Sequence, residues 1–157
     1  MRITLFQRSC WKQGEELNEE LVFSFNVDGE DFTSAGQASV QVKKDLRQLG
    51  LSPEVIRRVS IAMYEGEINM VIHAGGGNAT VKVNEEYIEI ILSDNGPGIK
   101  NIELAMQEGY STASDNIRSL GFGAGMGLPN MKRYTDSMTI DSTVGVGTTI
   151  VMRVNCR

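Results

Sequence analysis

At 157 residues, with 41% hydrophobic and 22% charged side chains, the chain has the size and composition of one ordinary globular domain. No apolar run approaches the roughly 20 residues of a membrane span, and a single histidine with two distant cysteines (Cys10, Cys156) excludes the common zinc motifs and a disulfide framework. The net charge is −5, with 14 acids against 9 bases in residues 1–93 and 6 of each in 94–157, which argues against a nucleic-acid-binding face.

The start, MRITLFQRSCWKQGEE, has basic residues but no apolar h-region and no small-residue cleavage site, so no secretion signal is expected and the cytoplasm is the expected location. Residues 1–20 show no clean periodicity and end in the acidic GEELNEE, which reads as an extension or poorly ordered lead-in. LVFSFNV (21–27) alternates in part and is rich in β-branched and aromatic residues, a strand, and DGED follows as a turn. The spacing of Val40, Val42, Leu46 and Leu49 predicts a helix, with Thr33 or Ser34 as N-cap and Gly50 as its end. Ser52-Pro53-Glu54 opens a second helix, with Ser as cap and Pro in the first turn. It is expected to reach about His73 and stop at Gly75–Gly77.

ATVKV (79–83) and YIEIILS (87–93) form a predicted hairpin around Asn84-Glu85-Glu86, and Asp94-Asn95-Gly96-Pro97-Gly98 breaks its second strand. A short helix over about 101–108 comes next. The stretch 108–125, EGYSTASDNIRSLGFGAG, has no apolar period and reads as a long flexible loop. Met126–Tyr134 is helix-like, and a second hairpin pairs DSMTIDST (136–143) with TTIVMRV (148–154). This order predicts an α+β fold: a two-layer sandwich, its sheet mixed but mostly antiparallel, with helices on one face.

Seventeen glycines are about half again the usual share of roughly 7%, and they cluster at the ends of periodic segments rather than in linkers. Four places deserve a chemical reading. On the long helix, Glu65 and Asn69 are four apart and share a face, among apolar neighbours such as Ile61, Ala62 and Ile72. A buried carboxylate there needs a partner, so the pair marks a satisfied core hydrogen bond, a solvated edge of the stripe, or a ligand. Glu67 lies on another face and is expected to be solvated. Asp94-x-Gly96-x-Gly98 after a strand is a turn, or else an acceptor-only carboxylate able to read the exocyclic amine of adenine. Gly121-Phe-Gly123-Ala-Gly125-Met-Gly127, opening a helix, is a flexible hinge or a phosphate cradle. It matches neither the P-loop nor the Rossmann fingerprint. Gly145-x-Gly147-Thr148, alone, is a hairpin turn.

In this order the four motifs resemble the ATP-binding fold shared by gyrase, sensor histidine kinases, the heat-shock chaperone ATPase and mismatch-repair ATPases, the GHKL or Bergerat fold. The resemblance spans about residues 21–155. The short length and the run from Glu108-Gly-Tyr-Ser-Thr112 through Gly121 to Lys132 are similar to the stand-alone anti-sigma factor serine/threonine kinases, nearer the stress-signalling switch branch than the sporulation branch.

The resemblance implies that residues 21–157 are an ATP-binding kinase domain using ATP and Mg²⁺. Carried over by position, Glu65 is the general base, Asn69 ligates Mg²⁺, and Asp94 reads the adenine amine. Gly96 and Gly98 approach the ring, Gly123, Gly125 and Gly127 wrap the phosphates, and Thr148 backs the adenine. Residues 109–122 are the implied ATP lid, with Arg118 as its one basic residue; Tyr64 stands where the family often has Ser. The implied function is transfer of the ATP γ-phosphate to a Ser or Thr of a small antagonist protein in a partner switch, with a sigma factor or another regulator as second partner and a homodimer compatible with it. The rival is a non-catalytic, nucleotide-gated binding module. Histidine autokinase activity is not implied, since no dimerisation helix pair precedes the domain and His73 lies inside the nucleotide helix.

Overall fold

The computed structural model describes residues 20–157, so the expected N-terminal extension lies outside the described residues except for Glu20. The elements run β1 (Leu21–Asp28), α1 (Gln37–Gln48), α2 (Pro53–Asn69), β2 (Gly76–Val83), β3 (Tyr87–Asp94), α3 (Ile102–Ala105), α4 (Asp115–Ser119), α5 (Gly127–Arg133), β4 (Ser137–Thr143) and β5 (Gly147–Asn155). The five strands form one sheet in the order β1-β2-β3-β5-β4, and every neighbouring pair is antiparallel.

Strand alternation decides which face is covered. Ala79, Val81 and Val83 of β2, Ile88, Ile90 and Leu92 of β3, and Ile150, Met152 and Val154 of β5 are buried. They share one core with Val42 and Leu46 of α1, Val59 and Met63 of α2, and Met131 of α5. On the opposite face Lys82, Glu89 and Arg153 stand side by side in register. Arg153 Nε donates to Glu89 Oε2 at 2.7 Å, and its guanidinium lies 4.5 Å from the centre of the Tyr87 ring. The α+β arrangement of two layers is the one that forms.

In α2, Ser52 Oγ accepts from Val55 N at 3.3 Å and Pro53 opens the first turn. The helical path reaches Ala74 and stops at Gly75, as expected, but beyond Asn69 it widens into a π-helical stretch, Met70–Ala74, closed by Gly75 with φ of 70°. Gly66 lets α2 sit directly on the sheet, because a Cβ there would collide with Leu92 Cδ1. The glycine triplet that ends the helix also begins β2, since Gly76 and Gly77 pair with Asp28 and Val27 of β1.

Three expectations are corrected. Neither Thr33 nor Ser34 caps α1, which starts at Gln37 with no side-chain cap from its own segment. Glu67 does that work from α2, and it is buried rather than solvated, with 2% of its surface exposed. Its Oε1 accepts from Gly36 N at 2.9 Å and Ala38 N at 3.1 Å, and its Oε2 from Ser39 N at 3.0 Å. A helix N-terminus offers free N–H groups and positive potential, which is what a buried carboxylate needs. The third correction is in the long loop, where Ser114 Oγ accepts from Ile117 N and a short helix, α4, forms.

Candidate functional site

The sheet order brings two distant turns together. Because β5 lies beside β3, Asp94 at the end of β3 faces Thr148 near the start of β5. Asp94 Oδ1 accepts from Gly96 N at 2.9 Å and from Thr148 N at 3.2 Å. These bonds pin one carboxylate oxygen, and Oδ2 has no hydrogen bond among the described residues. Thr148 is buried, with Oγ1 2.8 Å from Ser142 Oγ. Gly98, with φ of 73°, packs against the Thr143 carbonyl so closely that a Cβ would come within 2.5 Å of its oxygen. Pro97 O accepts from Gly145 N at 2.9 Å, which ties this turn to the β4–β5 turn.

A second cluster lies along α2. Glu65 and Asn69 are partly exposed on one face of the helix, and α5 crosses them. Gly127 lies against the Asn69 carboxamide: a Cβ on Gly127 would stand 2.9 Å from both its Nδ2 and its Oδ1. Asn130 Nδ2 donates to Glu65 Oε1 at 2.8 Å. Among the described residues the Asn69 side chain makes no hydrogen bond, leaving its oxygen available to a ligand. The π-helical stretch joins the clusters, since Gly96 packs on Ala74 at its end; a Cβ there would lie 2.7 Å from Ala74 Cα.

The loop between α3 and α5 folds on itself. Gly109 N donates to Gly125 O at 2.9 Å, and Arg133 Nη2 to Glu108 Oε1 at 2.8 Å, so its two ends are clasped. Gly123 packs against Ala113, which is buried, and Gly125 against the backbone of Gly109 and Tyr110. Arg118 Nη2 donates to Ser111 O at 3.2 Å. Glu65, Asn69 and Gly127 are thus brought together, as are Asp94, Gly96 and Thr148. Gly98 packs on the backbone of Thr143 and Val144 at the β4–β5 turn, while Gly123 and Gly125 pack on Ala113 and on the Gly109–Tyr110 backbone within the long loop.

The sequence pattern of the histidine kinase-, DNA gyrase B- and HSP90-like ATPases matches residues 54–157. The chain belongs to this ATPase family. Over 124 residues it is 32% identical to the serine/threonine-protein kinase RsbT of Bacillus subtilis (strain 168), covering 76% of this chain and 85% of the relative. Over 122 residues it is 33% identical to the anti-sigma F factor of Clostridium beijerinckii, covering 74% and 82%. Among solved structures, the mycobacterial sensor histidine kinase MprB has the same fold, with a TM-score of 0.51 at 16% identity over 90% of this chain and 99% of that one. A chain of the Pseudomonas aeruginosa SiaB–SiaC complex gives 0.51 at 11% identity, over 85% and 89%. The ATPase family is therefore the one that the four motifs resemble, and its kinase and anti-sigma relatives are those suggested by the short length and the run from Glu108 to Lys132. Among the described residues no helix is long and apolar enough to cross a membrane.

Asn130 is the site residue that the motifs did not show. Its partner is 65 residues away, and the only local signal is a polar side chain three residues beyond Gly127, on the face that meets α2.

Proposed function

We propose that this chain is an ATP-dependent protein serine/threonine kinase of the anti-sigma type, acting in the cytoplasm on a small antagonist protein. The observation that carries the reading is the pairing, on one face of α2, of Glu65, with Oε2 unengaged, and Asn69, with its amide oxygen open beside Gly127. Relatives named as a serine/threonine-protein kinase and as anti-sigma F factors support it. A sigma factor or similar regulator is the second partner of the switch, and residues 21–157 constitute the kinase domain.

Asp94 Oδ2 accepts from the adenine amine, while Oδ1 stays fixed by Gly96 and Thr148. Guanine carries an oxygen at that position, so the site selects adenine. Gly127 and its neighbours face the phosphates with backbone N–H groups. Asn69 is a suitable single protein ligand for Mg²⁺, a hard ion that keeps its waters and takes few protein oxygens beside phosphates; no cluster of three or more His, Cys, Asp or Glu offers a metal cage among the described residues. Bound there, the ion would neutralise phosphate charge. Glu65 takes the proton of the acceptor hydroxyl through Oε2. The hydroxyl oxygen bonds to the γ-phosphorus as the bond from that phosphorus to the bridging oxygen breaks, and ADP leaves with the electron pair.

Two outcomes are expected. ATP and ADP with Mg²⁺ raise the melting temperature and GTP does so far less, while Asp94→Asn weakens adenine-nucleotide binding by roughly 1–3 kcal/mol, the cost of a mismatched polar group. Equal shifts with ATP and GTP, or parental ATP affinity in Asp94→Asn, would reduce Asp94 to a turn residue. Residues 109–122 are also expected to resist proteolysis and hydrogen exchange more strongly once ATP is bound, since most of their side chains are exposed. Identical cleavage with and without nucleotide would remove the lid from the mechanism.

A further inference from the structure

Helix α5 meets α2 at two points, one turn apart on each helix. Gly127 lies on Asn69, and Asn130, three residues on, reaches Glu65, four residues before Asn69. Residues three and four apart share a helix face, so both contacts belong to one seating of α5 on α2. Met131, fully buried, anchors that seating. The bond from Asn130 Nδ2 to Glu65 Oε1 is 2.8 Å long and partly buried. No other hydrogen bond reaches the Glu65 carboxylate among the described residues.

We infer that Asn130 is the positioning residue of Glu65: it holds Oε1 and leaves Oε2 directed at the incoming hydroxyl. This rests on the kinase reading and adds to it the group that orients the base. A carboxylate on a flexible stem is an effective base only when its accepting oxygen is held within reach of the proton. A carboxamide suits the task because its N–H donates at any pH and brings no charge beside the γ-phosphate. Asn130 exchanges no atom in the reaction; the proton goes to Glu65 and the phosphoryl group to the hydroxyl oxygen.

α5 starts at Gly127, two residues after Gly125, whose carbonyl accepts from Gly109 N at 2.9 Å and closes the base of the loop.

The test compares the full-length parent, Asn130→Ala, Asn130→Asp, Glu65→Gln and the double variant Glu65→Gln/Asn130→Ala. Melting temperature, Mg-ATP affinity, and kcat and KM for ³²P transfer from γ-labelled ATP to the acceptor protein are measured for each. Both Asn130 variants are expected to keep Mg-ATP affinity and KM within about twofold, while kcat falls by about ten- to a hundredfold, the scale of a misplaced catalytic group. In the Glu65→Gln background, Asn130→Ala is expected to cost nothing further, because the residue acts only through Glu65. Asn130→Asp, nearly identical in size, decides the matter if Asn130→Ala fails to fold. Parental kcat in a folded Asn130 variant, or an equal loss with Glu65 already replaced, overturns the positioning role and leaves the kinase reading intact. A parent that binds Mg-ATP and transfers no phosphate overturns both.

Discussion

Glu65→Gln is expected to lower phosphoryl transfer by about 10²–10⁴-fold, the usual contribution of a positioned base, while Mg-ATP affinity stays nearly parental. A serine or threonine hydroxyl is a poor nucleophile at neutral pH until its proton has somewhere to go. Glutamine keeps an acceptor oxygen for Asn130 Nδ2, so the contact between α2 and α5 persists and the change isolates proton acceptance. Asn69→Ala, one turn along, is expected to do the reverse and weaken Mg²⁺-dependent nucleotide binding itself. Nucleotide titration beside a transfer assay separates the two. Transfer at the parental rate by Glu65→Gln would show that Glu65 is not the base.

Glu67→Ala is expected to destabilise the fold by about 3 kcal/mol or more, since the N–H groups of Gly36, Ala38 and Ser39 lose their buried acceptor and each orphaned group costs about 1–3 kcal/mol. That is a large part of the roughly 5–15 kcal/mol that holds an ordinary domain together. Glu67→Gln should fall between the two. One amide oxygen can still serve Gly36 and Ala38, while the amide nitrogen faces the Ser39 N–H, donor against donor. Urea unfolding of the three proteins measures the order; parental stability in Glu67→Ala would mean that solvent replaces the carboxylate.

Local chemistry was legible and long-range pairing was not. Ser52-Pro53 announced α2 because a cap and its target lie three residues apart. Asp94 and Gly96 could be read as a unit for the same reason: their bond spans two residues. The composition of YIEIILS announces β3, and the structure shows that Ile88, Ile90 and Leu92 form its buried side. Glu67 was misplaced because helical periodicity says which residues share a face and not what covers that face; its partners lie 28 to 31 residues away. Asn130 escaped notice for a similar reason. α4 carries a local signal, Ser114-Asp115 at its start, but five residues with no buried side chain give no apolar period to find. Glycine clusters suggest turns that face a ligand; what the structure shows of Gly98 and Gly125 is close packing of backbone on backbone.

The most direct test of the kinase reading is phosphosite mapping, after Mg-ATP is added, on a protein that the immobilised chain has captured. The expected result is a single phosphoserine or phosphothreonine on the retained protein, formed by the parent, absent with Glu65→Gln, and accompanied by release of that protein. ATP-dependent retention of a protein that stays unmodified after prolonged incubation with the parent would contradict it, and would make the chain a nucleotide-gated binding module in which Glu65 has no proton to accept.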